Sequence, residues 1–539
     1  MSNANAIQKL TRARNAFFLV IAISAGAIAG EGGARKDGET ELAAWLNQRF
    51  LESVGQGLEN AIVDDGTFLR RVYLDLVGRI PSISELRDFQ SDQNLHKRTE
   101  LIDRLLSSKQ FGEHTARIWQ RVLIPAGNNV PIQGWLATAF NENTPYDAMA
   151  HQLIVAGGAE NRDEQEDAPS ESAPLNVSMG AAASPITYLQ NSGGSPQQMA
   201  SSVSRVFLGV KLECAQCHDH PFTDWTQQDF WGFAAFFSGA RLVATPQQPR
   251  ANGDQPQTLV DSRSTSISDE DGNRYSVSLP WNDEDKIEIP KEQLPRQFFA
   301  DWLTDANNPH FAATAVNRLW QHLCGQGLTT SVDDLDQADE DERELLDALA
   351  KKFAESGFDT KRLVRAICAS RYYQSPANKD AAKEGSDART LKVLSPEQLF
   401  DSLEVALALP IASIDRGPRF NGQREALVTR MQEAMGASPS EFRSGIPQTL
   451  ALMNGQITAD ATDLAKSRTL RAVLDAPFLD LKEKIESLFL ATLSRPPHKR
   501  EMAKVLALIE EQPSEQEKAD VFSQIMWGLI NSPEFVLVR

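Results

Sequence analysis

Apolar side chains recur every three or four positions along most of this chain of 539 residues. That spacing places them on one face of a helix. It is clearest in FLRRVYLDLVG from Phe68, in EHTARIWQRVLI from Glu113 and in ERELLDALAKKFAESG from Glu342. Ser82 precedes Glu85 by three positions, which predicts a capping box at the start of a helix. The pattern as a whole predicts a mainly α fold.

The helical spacing stops between residues 241 and 292. Apolar and polar side chains alternate there in TLVDSRSTSISDEDGNRYSVSLP, which contains a turn at Asp271-Gly272-Asn273. Alternation on both sides of such a turn predicts a β-hairpin. We therefore expect two helical domains, residues 39–240 and 293–539, with a small β-rich insertion at 241–292. Residues 159–185 lack periodicity and are rich in acidic residues, serine, alanine and proline, so we expect an acidic linker or loop there.

Residues 1–29 have the layout of a signal peptide. Three basic residues precede an apolar run from residue 16 to 28, and the sequence Ala27-Ile28-Ala29 fits cleavage after small residues. This layout predicts a secreted, periplasmic or cell-envelope protein. The run is short for a membrane span and no later segment is apolar enough to cross a bilayer, so we expect no span apart from the signal segment.

Charge and motif content exclude several classes of function. The chain holds 54 basic and 73 acidic side chains, a formal net charge of −19 at pH 7. Nucleic-acid binding relies on clustered lysine and arginine, which this sequence lacks, so we expect no nucleic-acid partner. The sequence also has no Gly-x-Ser-x-Gly, His-Glu-x-x-His, phosphate-loop or dinucleotide motif, which disfavours hydrolase and nucleotide-binding functions.

The candidate chemistry is concentrated in CAQCHDHPFTDW, which starts at Cys214. A Cys-x-x-Cys-His motif is rare by chance in a chain with four cysteines and eight histidines. Its spacing suits haem c, because Cys214 and Cys217 can bond to the two vinyl groups of one porphyrin while His218 supplies an axial nitrogen to the iron. Haem c is attached outside the cytoplasmic membrane, which agrees with the signal peptide.

Three other interpretations of this stretch stay open at this point. Cys214 and Cys217 can form a disulfide, structural or redox-active, in an oxidising compartment. Alternatively, the two thiols can hold zinc or another metal together with His218 or His220. The third interpretation is a hydrolase site built from Asp219, His220 and Asp224.

No sixth ligand for a haem iron is evident. His220 lies two residues from His218 and is expected on the same face of a haem, so it fits a loop-stabilising role better. His322, in a predicted helix beside Trp320, is a distant candidate for the distal ligand, although a histidine in that setting is more typical of a structural residue.

Two further groups of residues have alternative roles. Seven aromatic side chains between residues 222 and 237 can wall a porphyrin or can form the core of the first domain. Cys324 and Cys368 lie in predicted helices whose surroundings favour buried thiols over a disulfide.

Several long motifs resemble a known family. FLRRVYLDLVGRIPS, LIDRLLSS and VSRVFLGVKLECAQCHDHPFTDWTQQDFWGFAAFF are similar to the first of two domains of unknown function that are paired in secreted, cytochrome-like proteins of planctomycetes. FADWLTDANNPHFAATAVNRLWQHLCGQGL, LLDALAKKFAESGFDTKRLVRAICASRYYQ, LSPEQLFDSL, LALMNG and LSRPPHKREM are similar to the second. The resemblance covers most of the chain beyond Glu39.

The resemblance implies a cytochrome-like protein whose haem motif falls on Cys214, Cys217 and His218. Many such proteins also carry a separate cytochrome c domain with its own motif. This sequence has one motif, so we expect at most one haem c. From the cytochrome-like resemblance we expect electron transfer as the function and a redox protein as partner. No reaction is attached to either domain, so whether the chain is an enzyme stays open. The alternative is a non-enzymatic envelope or surface interaction protein whose Cys-x-x-Cys-His loop is a disulfide or metal site.

Overall fold

The computed structural model describes residues 41–50, 62–125, 132–157, 159–160, 184–220, 223–244, 257–281, 287–377, 389–408, 424, 428–429, 458–459 and 462–538. The predicted signal peptide, residues 1–29, lies outside the described residues. Of the predicted acidic linker, residues 159–160 and 184–185 are described. Within the described ranges, no helix combines the length and apolar character needed to cross a membrane.

The described residues are mainly helical, as the spacing of apolar residues predicts. The α-helices before residue 241 span 41–50, Asp65–Val77, Ile83–Ser91, Lys97–Leu106, Lys109–Leu123, Gln133–Asn141, Tyr146–Val155, Ile186–Gln190, Pro196–Val203 and Gln227–Ala234. Those after residue 292 span Pro295–Leu303, Pro309–Cys324, Glu340–Glu355, Thr360–Ala369, Arg371–Gln374, Pro396–Ala406, Arg468–Leu474, Leu481–Leu493, Lys499–Glu510, Glu515–Ile530 and Pro533–Val536.

Within the described ranges, seven short strands form three small sheets. Gln257–Asp261 is the middle strand of the first sheet, parallel to Ala159–Glu160 and antiparallel to Arg241–Ala244. The predicted hairpin is confirmed: Ser266–Ser268 pairs with Arg274–Ser276, and Gly272 in the turn has a φ of 87°. The third sheet pairs Lys392–Val393 with Leu537–Val538, and so joins the C-terminal end of the chain to its middle.

The predicted capping box at Ser82 is also confirmed. The Ser82 hydroxyl accepts a hydrogen bond from the Glu85 amide at 3.2 Å, and the Glu85 carboxylate accepts one from the Ser82 amide at 2.7 Å. Each bond satisfies a backbone donor that the first turn of a helix leaves without an intrahelical partner. This start is therefore determined by four consecutive residues.

The main hydrophobic core joins helices from both sides of the β strands. Phe311, in the C-terminal half, lies 5.2 Å from Tyr146 and 6.4 Å from Phe207 between ring centroids, and all three rings belong to one buried cluster. A second cluster is formed by the C-terminal helices together with Leu74 and Ile80 from the N-terminal half. The two predicted helical halves therefore share their cores.

Helix Asp65–Val77 lies between the two cores, and 11 of its 13 residues are buried. Its charged residues Arg70, Arg71 and Asp75 are among the buried ones. A charged side chain held away from water needs hydrogen-bonding partners in the protein. The buried charges of this helix therefore require polar partners in the interior of the protein.

The acidic sequence from Asp333 to Glu344 predicts a solvated helix entrance, with carboxylates at the positive end of the helix dipole. The structure follows this prediction only in part. Asp339 caps helix Glu340–Glu355, whose first turn is acidic and complements the helix dipole, as predicted. For Asp333 the expectation is wrong, because this carboxylate is buried and pairs with Arg318 at 2.6 Å.

Candidate functional site

The Cys-x-x-Cys-His motif lies on a single turn of 3₁₀-helix, Leu212–Gln216, and the residues just after it. Such a helix has three residues per turn, so positions three apart share a face. Leu212 and Ala215 share the buried face, with 1% and 0% of their surface exposed. Cys214 and Cys217, the residue just past the helix, are also three positions apart, and both are exposed free thiols. The turn therefore leaves both thiols accessible to solvent.

His218 follows the second thiol and is exposed. Its Nδ1 lies 2.8 Å from the backbone oxygen of Asp219. Because a carbonyl oxygen only accepts, Nδ1 donates the hydrogen and Nε2 keeps its lone pair. Histidines that bind metals are commonly oriented in this way by a carbonyl on the other ring nitrogen. The geometry leaves Nε2 as the atom that can act as a ligand.

Helix Gln227–Ala234 holds the turn in place. The carbonyl oxygen of Gln216 accepts hydrogen bonds from the Gln227 side chain at 3.2 Å and from the Trp231 indole at 3.1 Å. The Asp219 carboxylate accepts one from the Gln227 amide at 2.8 Å. The His220 amide closes the intervening loop by donating to the Trp225 carbonyl at 2.7 Å.

The C-terminal half anchors both ends of this segment. Gly209, which precedes the turn, accepts a hydrogen bond from the Leu335 amide at 2.7 Å. Trp225, which follows it, donates from its indole nitrogen to the Asp336 carboxylate at 2.6 Å. Burial raises the pKa of Asp336, and the indole bond acts in the opposite direction. The short 3₁₀-helix Leu335–Gln337 thus positions the motif from across the chain.

The aromatic residues after the motif are part of the core. Phe230, Phe233, Phe236 and Phe237 are buried, and Trp231 is 3% exposed. Three of these phenylalanines contact Phe299 in the following helix, with centroid distances between 5.0 and 5.6 Å. The sequence allows these rings to be either the wall of a porphyrin site or core residues. The structure shows that the buried phenylalanines are core residues. Phe222 lies outside the described residues.

The other histidines considered as iron ligands are engaged elsewhere. The His220 backbone stabilises the loop, as described above. The His322 ring donates from Nε2 to the backbone oxygen of Asp75 at 2.9 Å and lies 5.6 Å from the His114 ring. Among the described residues, no hydrogen bond or ring contact joins His322 to the turn at Cys214.

His322 belongs to a second polar site, a buried cluster around Asp75. Asp75 Oδ2 accepts a hydrogen bond from the Tyr373 phenol at 2.7 Å, and Oδ1 forms an ion pair with Lys392. Lys392 also donates to the carbonyl oxygens of His322 at 2.7 Å and Leu323 at 3.1 Å. Three segments far apart in the chain therefore meet at one carboxylate.

Two arginines complete this Asp75 cluster. Arg71 and Arg389 approach the Tyr373 ring, with guanidinium carbons 5.6 and 5.5 Å from its centroid. Arg71 also donates to the Tyr373 carbonyl oxygen. Burial, followed by the positive charge of Arg389, lowers the pKa of Arg71 to about 9. Burial and the charge of Asp75 raise the pKa of Tyr373, so its phenol stays protonated.

Cys324 and Cys368 are buried free thiols beside this cluster, in agreement with the interpretation favoured from the sequence. Burial raises the pKa of Cys324 to about 12 and also raises that of Cys368. Both therefore stay protonated near neutral pH. Elsewhere among the described ranges, as here, no group of three or more His, Cys, Asp or Glu side chains is arranged to hold a metal ion.

Sequence reasoning missed the Asp75 cluster. Its signal is present in FLRRVYLDLVG, where Arg71 and Asp75 lie four positions apart in a helix that is otherwise rich in large apolar residues. Charges in such a helix are buried and must be paired. Their partners, however, lie about three hundred residues away, and the local pattern does not reveal them.

Two protein families match the chain, one on each side of the strands between residues 241 and 276. Residues 51–241 match the model of PSCyt2, described as a protein of unknown function (DUF1549). Residues 295–410 match that of PSD1, described as a protein of unknown function (DUF1553). The two matches follow one another in that order along the chain. The Cys214 turn lies in the PSCyt2 segment, whereas Tyr373, Arg389 and Lys392 lie in the PSD1 segment. No curated protein and no solved structure matches the chain.

Proposed function

We propose that Cys214, Cys217 and His218 attach one haem c, and that the protein transfers electrons between redox partners outside the cytoplasmic membrane. The observation that carries the proposal is the exposure of two free thiols three positions apart, followed at once by a histidine with a free Nε2. Haem c attachment requires these three groups in this order, accessible and unmodified.

The residues of the turn fit the group in their donor chemistry. Cys214 and Cys217 are free and exposed, whereas the neighbouring Leu212 and Ala215 are buried and anchor the turn. The Asp219 carbonyl orients the His218 ring. When bound, haem supplies one-electron oxidation and reduction at its iron. The described phenylalanines fill the core, so the proposed attachment is at the protein surface.

Each residue of the motif then has a distinct role. Cys214 and Cys217 hold the group covalently, and His218 binds its iron through Nε2. Gln216 and Trp225 keep the turn in register with helix Gln227–Ala234 and with Asp336. Neither His220 nor His322 is included in the proposed ligand set.

Export across the cytoplasmic membrane is part of the proposal. It rests on the sequence of residues 1–29, since haem c is attached on the outer side of that membrane and a signal peptide would deliver the chain there. Cell fractionation with N-terminal sequencing of the mature chain tests this point. A full-length chain retained in the cytoplasm would contradict it.

The test of function is a haem assay on the full chain, expressed with its own N-terminus in a host that matures cytochromes c. We expect peroxidase staining on a denaturing gel and a pyridine haemochrome spectrum of one haem per chain. The Cys214→Ala/Cys217→Ala double variant should lose both signals. The matched control is Cys324→Ala/Cys368→Ala, which removes the two buried thiols and should retain the haem.

Histidine variants separate the ligand from the loop. His218→Ala should lose the spectral signature of an axial histidine nitrogen while keeping covalent haem, whereas His220→Ala should have the milder effect. Equal spectral damage from both would contradict the assignment of His218. Folded, colourless wild-type protein would reject the proposal as a whole.

The second candidate function is that of an envelope or surface interaction protein without haem. It is favoured by the same observation that Cys214 and Cys217 are both exposed and three positions apart, because a disulfide or a bound metal ion could then stabilise the turn. A free-thiol count and a metal analysis of colourless protein would distinguish these two forms. In that case Cys214→Ala should lower stability without removing a chromophore.

A further inference from the structure

Arg389 is fully buried, yet its guanidinium group has no hydrogen-bond partner among the residues that the structure describes. Its exposed fraction is 0%, and within the part of the chain that the structure describes, Nε, Nη1 and Nη2 all lack an acceptor. A guanidinium carries five N–H donors and stays charged at any physiological pH. Burial of such a group without an acceptor is strongly unfavourable. Its contact with the Tyr373 ring covers one face of the guanidinium and leaves the donors in its plane unsatisfied.

The surrounding groups add positive charge. Arg71 faces the same Tyr373 ring, and Lys392 lies on the strand that follows Arg389. Asp75 is a carboxylate in contact with this cluster, and both of its oxygens are already engaged, by Lys392 and by Tyr373. Among the described residues, the three cations Arg71, Arg389 and Lys392 thus share this one carboxylate.

The remaining titratable neighbours do not offset this charge. His322 and His114 are held neutral, because burial lowers the pKa of His322 to about 4 and that of His114 well below its usual range. Cys324 and Cys368 are protonated thiols, as described above. The cluster is therefore short of negative charge at the position of Arg389.

We propose that Arg389, with Arg71 and the Tyr373 ring, forms an internal binding site for a small oxyanion, either a carboxylate or phosphate. The N–H donors in the plane of the Arg389 guanidinium group bind this anion by hydrogen bonds. The planar fork of a guanidinium matches two oxygens of such an anion. An enclosed anion would satisfy the donors that the chain leaves unpaired and would balance the excess charge. The site is separate from the Cys214 turn and does not depend on haem.

The proposal is tested on the full chain by exhaustive dialysis against sodium chloride, denaturation, and ion chromatography of the anions released. We expect about one oxyanion per chain if the anion is held tightly, and the chromatogram distinguishes inorganic phosphate from a carboxylate. In parallel, chloride is replaced stepwise by phosphate, or by acetate, at constant ionic strength. The urea midpoint of the wild type should rise with the concentration of the anion that binds.

Arg389→Met keeps the length of the side chain and removes its donors, so the anion-dependent shift should be lost. The control is Arg87→Met, because Arg87 is exposed and this variant should keep the wild-type shift. The control also measures the general stabilisation that phosphate gives to any protein. If Arg389→Met does not fold, the release assay on the wild type decides alone. An absence of released oxyanion together with equal shifts in wild type and variants would overturn the proposal.

Discussion

The phenol of Tyr373 donates a hydrogen bond of 2.7 Å to the carboxylate of Asp75, a residue 298 positions earlier in the chain. The bond links the PSCyt2 segment to the PSD1 segment inside the protein. Lys392 forms an ion pair with the other oxygen of the same carboxylate. The two segments are therefore connected by a buried charge as well as by apolar contacts.

Asp75→Asn should destabilise the protein strongly, because it leaves the largely buried ammonium group of Lys392, whose side chain is 14% exposed, without its counter-charge. Removing one partner of a buried ion pair costs about 3–5 kcal/mol. The free energy of unfolding, measured with urea, should fall by that amount. Asp88→Asn makes the same change at an exposed position and should alter it by less than about 0.5 kcal/mol. Equal effects would show that Asp75 is not the central partner of the cluster.

Acid should destabilise the protein through its buried histidines. Burial lowers the folded-state pKa of His322 to about 4, so between pH 6.5 and 4 the unfolded chain binds more protons than the folded one. Stability therefore decreases as pH falls through this window. For His322 the loss between pH 7 and pH 5 is about 2 kcal/mol.

His322→Gln keeps a donor for the Asp75 carbonyl and removes the titration. Between pH 7 and pH 5, the free energy of unfolding of this variant should fall by about 2 kcal/mol less than that of the wild type. His96→Gln, at an exposed position, should retain the wild-type dependence. Parallel curves for wild type and His322→Gln would mean that His322 titrates normally.

The four cysteines should fall into two classes of reactivity in haem-free protein. Cys214 and Cys217 are exposed, whereas Cys324 and Cys368 are buried and their pKa values are raised. Since the thiolate is the reactive form, iodoacetamide should modify two thiols in the folded chain and four after denaturation. Peptide mass spectrometry identifies the sites. Modification of Cys324 as fast as Cys214 would contradict the structure, and haem-loaded protein should show no reactive thiol at Cys214 or Cys217.

Gly209→Ala should disturb the approach to the motif. Gly209 has a φ of 64°, and a Cβ there would lie 2.8 Å from Thr314 Oγ1 and 2.9 Å from Leu335 Cγ. Gly357→Ala is the matched control, because its φ is 72° but nothing lies within 4 Å of the added carbon. The backbone penalty, about 1 kcal/mol, applies to both, and steric overlap adds about 1–3 kcal/mol at Gly209 alone. Urea unfolding measures the difference, and equal losses would exclude a close contact with Leu335.

Local sequence was sufficient for the features whose partners lie a few residues apart. The capping box needs only Ser82 and Glu85, and the hairpin needs alternation around Gly272. The Cys-x-x-Cys-His motif is likewise five consecutive residues, and one turn of 3₁₀-helix leaves both of its thiols exposed. In each case the physical cause is backbone geometry, which repeats over three or four residues.

Tertiary structure alone decided what is buried and what it contacts. The sequence marks Phe233 and Phe237 as aromatic, but only packing against Phe299 makes them core residues instead of a cofactor wall. The sequence likewise marks Asp75 and Arg389 as charged, and only the meeting of distant segments encloses them. Burial changes the free energy of an aromatic or a charged group, and burial is a property of the assembled chain, so periodicity along the sequence does not determine it.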